Sequence, residues 1–398
     1  MTSPANAKSS RLNASLLGWL LLMAPRFVRA ENSVTYKYET YTEDDNRITV
    51  KTQGALIEQD LGTDMHVKVE GVIDAIAGAT PTGLPFPAGS TSVDLSSSAW
   101  QYMKDRRKAW NTEISRQFPG FNLAVGLANS REHDYVSTGW SVNTVTDFNQ
   151  KNTELLAGVA GTDDDVQEYF QPDHHYLKKR SNDALLGFTQ LLDPRTTVGL
   201  NLSWGHETGY LSDPHRLVAY NIVADPGPPP IILPSSIGEN RPDHSTKWTV
   251  LATLNHAFPD LHAAVEATYR FYHATSGTNA NMVQFTWIQR LGDHFVLQPD
   301  VRWYEQTAAN YYYYDLTQTS IVPTGPAPNP QGPFFSSDYR LSALRSVSYA
   351  MKVVWIVNSW LQIDVAARKY DMHGRDSATP AVAYPRATIT TLGAKISW

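Results

Sequence analysis

Three groups of residues in this sequence could carry out chemistry or bind a ligand. The first is Ser212, Asp213 and His215, because serine, histidine and aspartate are the side chains of a hydrolytic nucleophile and its base. No nucleophile elbow or zinc motif accompanies them. A hydrolase carried on an outer loop is therefore one hypothesis, with no catalytic residue assigned.

The second group combines acids and imidazoles. An acidic run at 163–165 precedes an Asp-His-His run at 173–175, and carboxylate and imidazole groups are suitable ligands for a cation. The spacing matches no defined site, so a solvated acidic loop is the competing interpretation. We predict no metal site and no cofactor.

The third group is a run of four tyrosines at 311–314, which is followed by Asp315 and a loop rich in proline and glycine. These rings could stack on a sugar or an aromatic solute, or fold inward as a lid. The competing interpretation is an aromatic patch at a rim. A second proline-rich segment, 224–234, cannot form ladder hydrogen bonds at its prolines and is predicted to be an outer loop that caps a mouth.

Length and composition limit the kinds of fold that could position these residues. A chain of 398 residues suits two or three soluble domains, or one large barrel. Only 42% of the residues are hydrophobic, and no run after residue 30 is long enough to cross a bilayer as a helix. The absence of cysteine excludes disulfides and thiolate metal sites.

The first thirty residues have the layout of a secretory signal peptide. Lys8 and Arg11 precede the apolar run 16–24, and a cleavage site is predicted before Glu31. Removing 1–30 takes away four cations and no acid, which changes the formal charge from −6 to −10. An acidic exported chain is a poor candidate for nucleic-acid binding.

The remaining residues, 31–398, show the period-two alternation of strands with one apolar and one polar face. In a barrel that crosses lipid, the apolar face points outward and the polar face points into the lumen. The polar faces carry full charges, and we predict that nine of them line a pore: Glu70, Asp74, Glu266, Arg270, Asp300, Arg302, Asp364, Arg368 and Lys395.

Two interpretations of these charges remain open. Facing acids and bases could set a transverse field that selects solutes by charge. They could instead form an ion-pair ladder that satisfies the charges and stiffens the wall.

The alternation predicts an all-β fold, a transmembrane antiparallel up-and-down β-barrel of about sixteen strands, with fourteen as the alternative. Tight turns lie on one side and every long connection on the other, as in outer-membrane barrels with periplasmic turns and periplasmic N- and C-termini. The predicted strands span residues 33–43, 47–59, 64–76, 107–118, 121–133, 138–149, 153–162, 181–192, 197–208, 245–257, 261–274, 280–291, 295–307, 341–356, 359–371 and 386–398.

Aromatic residues near the strand ends predict two belts at the membrane interfaces. Phe295 and Trp303 lie eight steps apart, roughly 26 Å along a strand and about 19 Å along the membrane normal at a 45° tilt. The predicted girdle consists of Trp204, Trp248, Trp303, Phe295, Trp355, Trp360 and Trp398.

The last strand, 386–398, ends in an aromatic residue and resembles the C-terminal signal strand by which the barrel-assembly machinery recognises Gram-negative outer-membrane barrels. Four further stretches, 36–50, 72–81, 269–280 and 336–353, resemble the bacterial domain-of-unknown-function family 3570. This resemblance implies an exported outer-membrane barrel and carries no established catalytic residues. The segment HATSG at 273–277 departs from the acidic and aromatic stretch expected there.

Three functions follow as hypotheses. The first is a pore or transporter for small solutes in the outer membrane of a Gram-negative bacterium, with lipid as its surroundings. The second rests on the family resemblance, which implies neighbours such as a flavin transferase, a small lipoprotein and a thioredoxin-like protein. The chain would then bind or scaffold a periplasmic lipoprotein or redox protein. The third is the outer-loop hydrolase.

Overall fold

A computed structural model describes residues 32–167, 175–227, 229–324 and 328–398 of the chain. The predicted signal peptide and its cleavage site lie outside the described residues, as do Asp173 and His174.

Sixteen strands form one closed antiparallel barrel, in which each strand pairs with its neighbours in sequence and the first pairs with the last. Two further strands, Leu217–Asp225 and Ile231–Gly238, pair with each other in a separate hairpin outside the closed sheet. The strands are β1 (Ser33–Glu43), β2 (Ile48–Leu61), β3 (Met65–Pro81), β4 (Trp100–Phe118), β5 (Phe121–Arg131), β6 (Tyr135–Phe148), β7 (Thr153–Gln167), β8 (Tyr176–Asp193), β9 (Thr196–Gly209), β10 (Leu217–Asp225), β11 (Ile231–Gly238), β12 (His244–Phe258), β13 (Ala263–Ala274), β14 (Asn279–Leu291), β15 (Phe295–Gln306), β16 (Leu344–Ile356), β17 (Leu361–Gly374) and β18 (Arg386–Ser397).

The sixteen-strand prediction is confirmed and the fourteen-strand alternative is wrong. Both doubtful segments form full strands, β6 and β7, and β7 continues to Gln167. The predicted long loop after residue 76 is shorter than expected, because β3 extends to Pro81 and β4 begins at Trp100. These added residues complete one long two-stranded ladder.

Tight connections gather at one end of the barrel, which we call the turn end, and the long connections gather at the other, the loop end. At the turn end, β4 and β5 are joined by Pro119 and Gly120, and Gly120 has a φ of +92° that favours glycine. Ser33 and Ser397 pair with each other, so both ends of the described barrel also lie at the turn end.

Apolar side chains cover the outside of the barrel. Leu200, Val365 and Leu392 are 42%, 54% and 52% exposed and all lie on the outward face of their strands. The buried apolar clusters lie toward the loop end, where Val218, Leu316 and Phe335 pack together. No helix among the described residues is long and apolar enough to span a membrane.

Candidate functional site

All nine predicted pore-lining charges lie on the inner face of the barrel. On β13, for example, Arg270 alternates with Tyr269, which is 43% exposed on the outside. Cross-strand pairing fixes the same assignment for the others, because inward residues pair with inward residues. The nine are Glu70, Asp74, Glu266, Arg270, Asp300, Arg302, Asp364, Arg368 and Lys395.

Three of these charges lie at one height in the lumen. Arg270, Arg302 and Arg368 are each the seventh residue after the first residue of their strands, β13, β15 and β17. These strands start at the turn end and run in the same direction. The cross-strand register is consistent with this height. Arg270 pairs with Met282 of β14, and Met282 pairs with Tyr304 of β15, which is the next inward residue after Arg302. We call these three residues the arginine triad.

The opposite wall at this height carries small side chains. The seventh positions of β3, β5, β7 and β9 are Val72, Ala128, Ala160 and Ser203. Val72, Ala128 and Ala160 line a cavity together with the charged side chains of Glu70, Arg107 and Asp183. The arginine triad and this cavity lie on opposite sides of the barrel.

Only some of the nine charges are paired. Arg368 lies 2.6 Å from Asp300, Asp74 lies 2.6 Å from Arg107, and Asp364 lies 3.9 Å from Lys352. The described residues provide no opposite charge within 4.0 Å of the other five. The ion-pair ladder is thus partial, and the unpaired members are Glu70, Glu266, Arg270, Arg302 and Lys395.

The predicted aromatic girdle lies on the outward face. Phe295 and Trp355 pair across β15 and β16 with ring centroids 6.5 Å apart at the turn end, and Trp204 meets Trp248 at 6.5 Å nearer the loop end. Six of the seven predicted members are 37% to 60% exposed: Trp248, Trp303, Phe295, Trp355, Trp360 and Trp398.

Trp110 and Trp140 also belong to the girdle near the loop end, although the sequence analysis did not include them. Each is the eighth residue before the turn-end limit of its strand, while Trp204 and Trp303 are the eighth residues after theirs. These four tryptophans therefore share one height, next to the arginine triad. Strand alignment from the turn end would have found the two missing members.

Long loops from different sides of the barrel meet across its mouth. We call the described residues of 82–99, 210–243, 307–343 and 375–385 the loop cap. The backbone N–H of Leu217 donates to Thr82 O at 3.0 Å, although their loops lie six strands apart around the ring. Leu316 N donates to Ala219 O at 2.8 Å. These contacts require the loops to cross the opening.

A buried ionic cluster ties the loop cap together. Arg340 lies 2.6 Å from Asp338 and 3.0 Å from Asp213, and Arg241 lies 2.6 Å from Glu239 and 3.0 Å from Asp338. Glu239 and Asp338 are each 2% exposed. The cluster thus links loop 210–243 to loop 307–343 through buried carboxylates and partly exposed arginines, Arg241 at 16% and Arg340 at 25%.

Burial and pairing act in opposite directions on these carboxyl groups. Burial alone would raise the pKa of Asp338, but Arg340 and Arg216 outweigh it and hold that pKa well below its usual range. The pKa of Asp213 is lowered in the same way, against its burial, by Arg216 and Arg340. Burial raises the pKa of Glu239 despite Arg241.

This cluster was not predicted from the sequence. One signal was present, because an acid and an arginine two residues apart occur in both loops, as Glu239 with Arg241 and Asp338 with Arg340. Nothing in that spacing indicates that the two pairs meet.

The four tyrosines are half-buried in the loop cap. Tyr312 Oη bonds to Thr379, Tyr313 packs against the Val218 cluster, and Tyr314 Oη accepts a hydrogen bond from Phe86 N at 2.8 Å. Of the earlier alternatives, the structure favours rings folded into the cap. The proline-rich segment is partly a strand, since Pro234 pairs with Asn221 in the β10–β11 hairpin.

The serine, aspartate and histidine are all buried, and Asp213 Oδ1 accepts a hydrogen bond from the backbone N–H of His215 at 3.1 Å. Ser212 Oγ accepts from Arg241 N at 3.0 Å, and Asp213 lies 3.0 Å from Arg340. The Nε2 atom of His215 lies 2.6 Å from Asp134. Each side chain thus serves the packing of the loop cap.

The acidic run 163–165 belongs to strand β7 and is not a loop, which corrects the earlier interpretation. Asp163 pairs with Arg180 and Asp165 with Lys178 on the outer face, whereas Asp164 points inward. A different group, Asp105, Glu132 and Asp134, places carboxylate oxygens within 4.8 Å of one another and has the chemistry to hold a cation.

The closed sheet, its apolar exterior and its charged interior define a transmembrane-type β-barrel, with loops across one mouth. A family model described as "Protein of unknown function (DUF3570)" matches residues 22–383, so the chain belongs to that family. No curated protein sequence matches the chain.

Among solved structures, the chain is similar to outer-membrane barrels. A bacterial polysaccharide outer membrane secretin is 8% identical, with 93% of this chain and 99% of that chain covered and a TM-score of 0.48. The CymD monoaromatic hydrocarbon channel is 10% identical, with 93% and 89% covered and a TM-score of 0.42. A mutant ferric enterobactin receptor (PfeA) from Pseudomonas aeruginosa is 12% identical, with 92% and 60% covered and a TM-score of 0.45.

Proposed function

We propose that this protein is a gated channel for small solutes in the outer membrane of a Gram-negative bacterium, and that its lumen favours anions. The observation that carries this proposal is the arginine triad, whose three guanidinium groups lie at one height on the inner face of the closed barrel. Barrels of sixteen strands are wide enough to leave an aqueous passage.

The anion preference rests on the two unpaired members of the triad. Arg270 and Arg302 have no carboxylate within 4.0 Å among the described residues, whereas Arg368 is paired with Asp300. Two guanidinium groups on one wall, against the single unpaired Glu266 on that wall, lower the energy of an anion that passes beside them.

The loop cap supplies the gate. Its loops cross the mouth and are held by buried ion pairs, so the passage is restricted at the loop end until the cap loosens. Loops of this kind are the usual moving parts of a protein. We therefore expect low conductance in the unmodified protein and higher conductance after the ion pairs of the loop cap are weakened.

The test is a planar-bilayer recording of the purified barrel under a potassium chloride gradient, before and after the substitution Asp338→Asn. We expect short openings in the unmodified protein, more frequent openings in the variant, and a reversal potential shifted toward that of chloride. A barrel that stays silent in both forms, or that reverses at the potassium potential, would contradict the proposal.

A further inference from the structure

Five cations cluster on the outer surface of the barrel near its loop end. Lys51 of β2 pairs with Ala75 of β3, which in turn pairs with Arg106 of β4, and all three face outward. Lys108 of β4 pairs directly with Arg131 of β5. Lys104 extends the row upward along β4. All five are exposed. We call them the outer basic patch.

These cations have no carboxylate within 4.0 Å among the described residues. Three other outward cations toward the same end are paired: Lys178 lies 2.6 Å from Asp165, Arg180 lies 2.7 Å from Asp163, and Lys369 lies 2.7 Å from Asp44. Arg345 on β16 is exposed and has no carboxylate within 4.0 Å among the described residues, but it is directly opposite Glu305 in the sheet. The patch therefore differs in that its five unpaired cations lie together.

The pairing of Lys108 with Arg131 places two like charges directly opposite each other, which destabilises a sheet unless an anion lies between them. The two acids of the same strand cannot serve, because Asp105 and Glu113 both point inward, where Asp105 meets Glu132 and Asp134. The described part of the chain therefore supplies no counter-charge within 4.0 Å.

Height along the barrel indicates where that anion lies. Lys51, Lys108 and Arg131 are each ten residues from the turn-end limit of their strands, whereas Trp110 of the girdle is eight residues away. Two residues span about 7 Å along a strand, or about 5 Å along the normal at a 45° tilt. The patch thus lies just beyond the tryptophan belt, at the height of lipid headgroups.

We propose that the outer basic patch binds the phosphate groups of an anionic lipid in the leaflet at the loop end. The proposal rests on the membrane insertion proposed above. Arginine and lysine side chains beside a membrane surface attract anionic headgroups, and arginine can hold phosphate through two parallel hydrogen bonds. The patch would fix the height and rotation of the barrel in its leaflet.

The test is native mass spectrometry of the full barrel in detergent, titrated with diphosphorylated lipid A, with phosphatidylcholine, or with inorganic phosphate. The substitutions Arg106→Gln and Lys108→Gln are combined in one variant. The matched control combines Lys178→Gln and Lys369→Gln, which remove the same charge from paired positions near the same end.

We expect lipid A to bind the unmodified barrel and the control, and to bind the Arg106→Gln, Lys108→Gln variant roughly thirtyfold more weakly. That factor corresponds to two cations that each contribute about 1 kcal/mol near an anionic surface. Equal losses in both variants, equal binding of phosphatidylcholine, or full displacement by inorganic phosphate would each overturn the proposal.

Folding and channel activity are measured on the same samples. Heat-modifiable migration on a gel reports the closed barrel, and Arg106→Lys should retain lipid binding in a folded protein. Conductance is expected to be unchanged in the patch variant. A silent barrel that still binds lipid A would contradict the channel proposal alone, whereas a conducting barrel without lipid preference would contradict this one.

Discussion

The loop cap and the lumen both contain arginines and carboxylates, but the two regions use them differently. In the cap, Arg340 and Arg241 are each paired with two buried acids. In the lumen, Arg270 and Arg302 have no acidic partner within 4.0 Å in the described part of the chain. Paired, dry charges hold a structure together, whereas unpaired charges in a wet passage are available to a solute.

The largest expected effect comes from breaking the cap. Asp338→Asn removes the shared partner of Arg340 and Arg241, and losing one member of a buried ion pair costs about 3 to 5 kcal/mol. Hydrogen exchange of the amides at 336–341 should accelerate while the strands stay protected. Asp243→Asn, at a carboxylate that is 55% exposed, is the control and should leave the exchange unchanged.

The second prediction compares substitutions on the outward and inward faces of the barrel wall. Val365 is 54% exposed on the outside, and its neighbour Ala366 faces the lumen. Val365→Arg should destabilise the barrel in vesicles by about 2 to 4 kcal/mol, because the charge enters lipid near the midplane. Ala366→Arg should cost much less. Urea unfolding curves compare the two, and equal costs would contradict the assignment of faces.

A smaller effect is expected in the lumen. Arg302→Gln removes one unpaired cation, and a charge about 4 Å away in water contributes about 1 kcal/mol, or roughly fivefold in relative permeability. The chloride-to-potassium ratio from reversal potentials should fall by that factor. Arg375→Gln, which removes a cation paired with Glu305, should leave the ratio as it was.

The smallest effect is the pH dependence of the cap. The lowered pKa values of Asp213 and Asp338 stabilise the folded cap above the usual aspartate pKa, and this contribution declines as the pH falls below that value. At pH 4 the loss is about 0.3 kcal/mol for each carboxyl, or about 0.6 kcal/mol for the two together.

Glu239 acts in the opposite sense. Its raised pKa favours the folded cap at low pH, and that contribution is lost as the pH rises through the folded pKa. The protection of the amides at 336–341, after correction for the intrinsic pH dependence of amide exchange, should therefore be highest in mildly acidic solution. Glu239→Gln should remove the decline on the alkaline side only, and an unchanged alkaline decline would contradict the assignment.

Much of the barrel wall was predictable from the sequence. Side chains of a strand alternate between its two faces, so the sequences of β13 and β15 alone show which residues face outward and which face inward. The nine inward charges and the girdle followed from the same period. The ends of β3 and β4 were missed because Gly78, Pro81 and the cations near Lys104 interrupt the alternation, and there only cross-strand pairing maintains the strands.

The sequence by itself determined which side chains face lipid and which face the lumen, because that choice depends on local spacing and on the cost of exposing charge to lipid. Only the tertiary structure decided that Asp338 meets Arg241, and that Arg270, Arg302 and Arg368 share one height. Those relations depend on how far each strand is offset from the next and on loops that meet across the mouth. Neither the strand offsets nor the loop contacts can be predicted from the spacing of residues along a single segment.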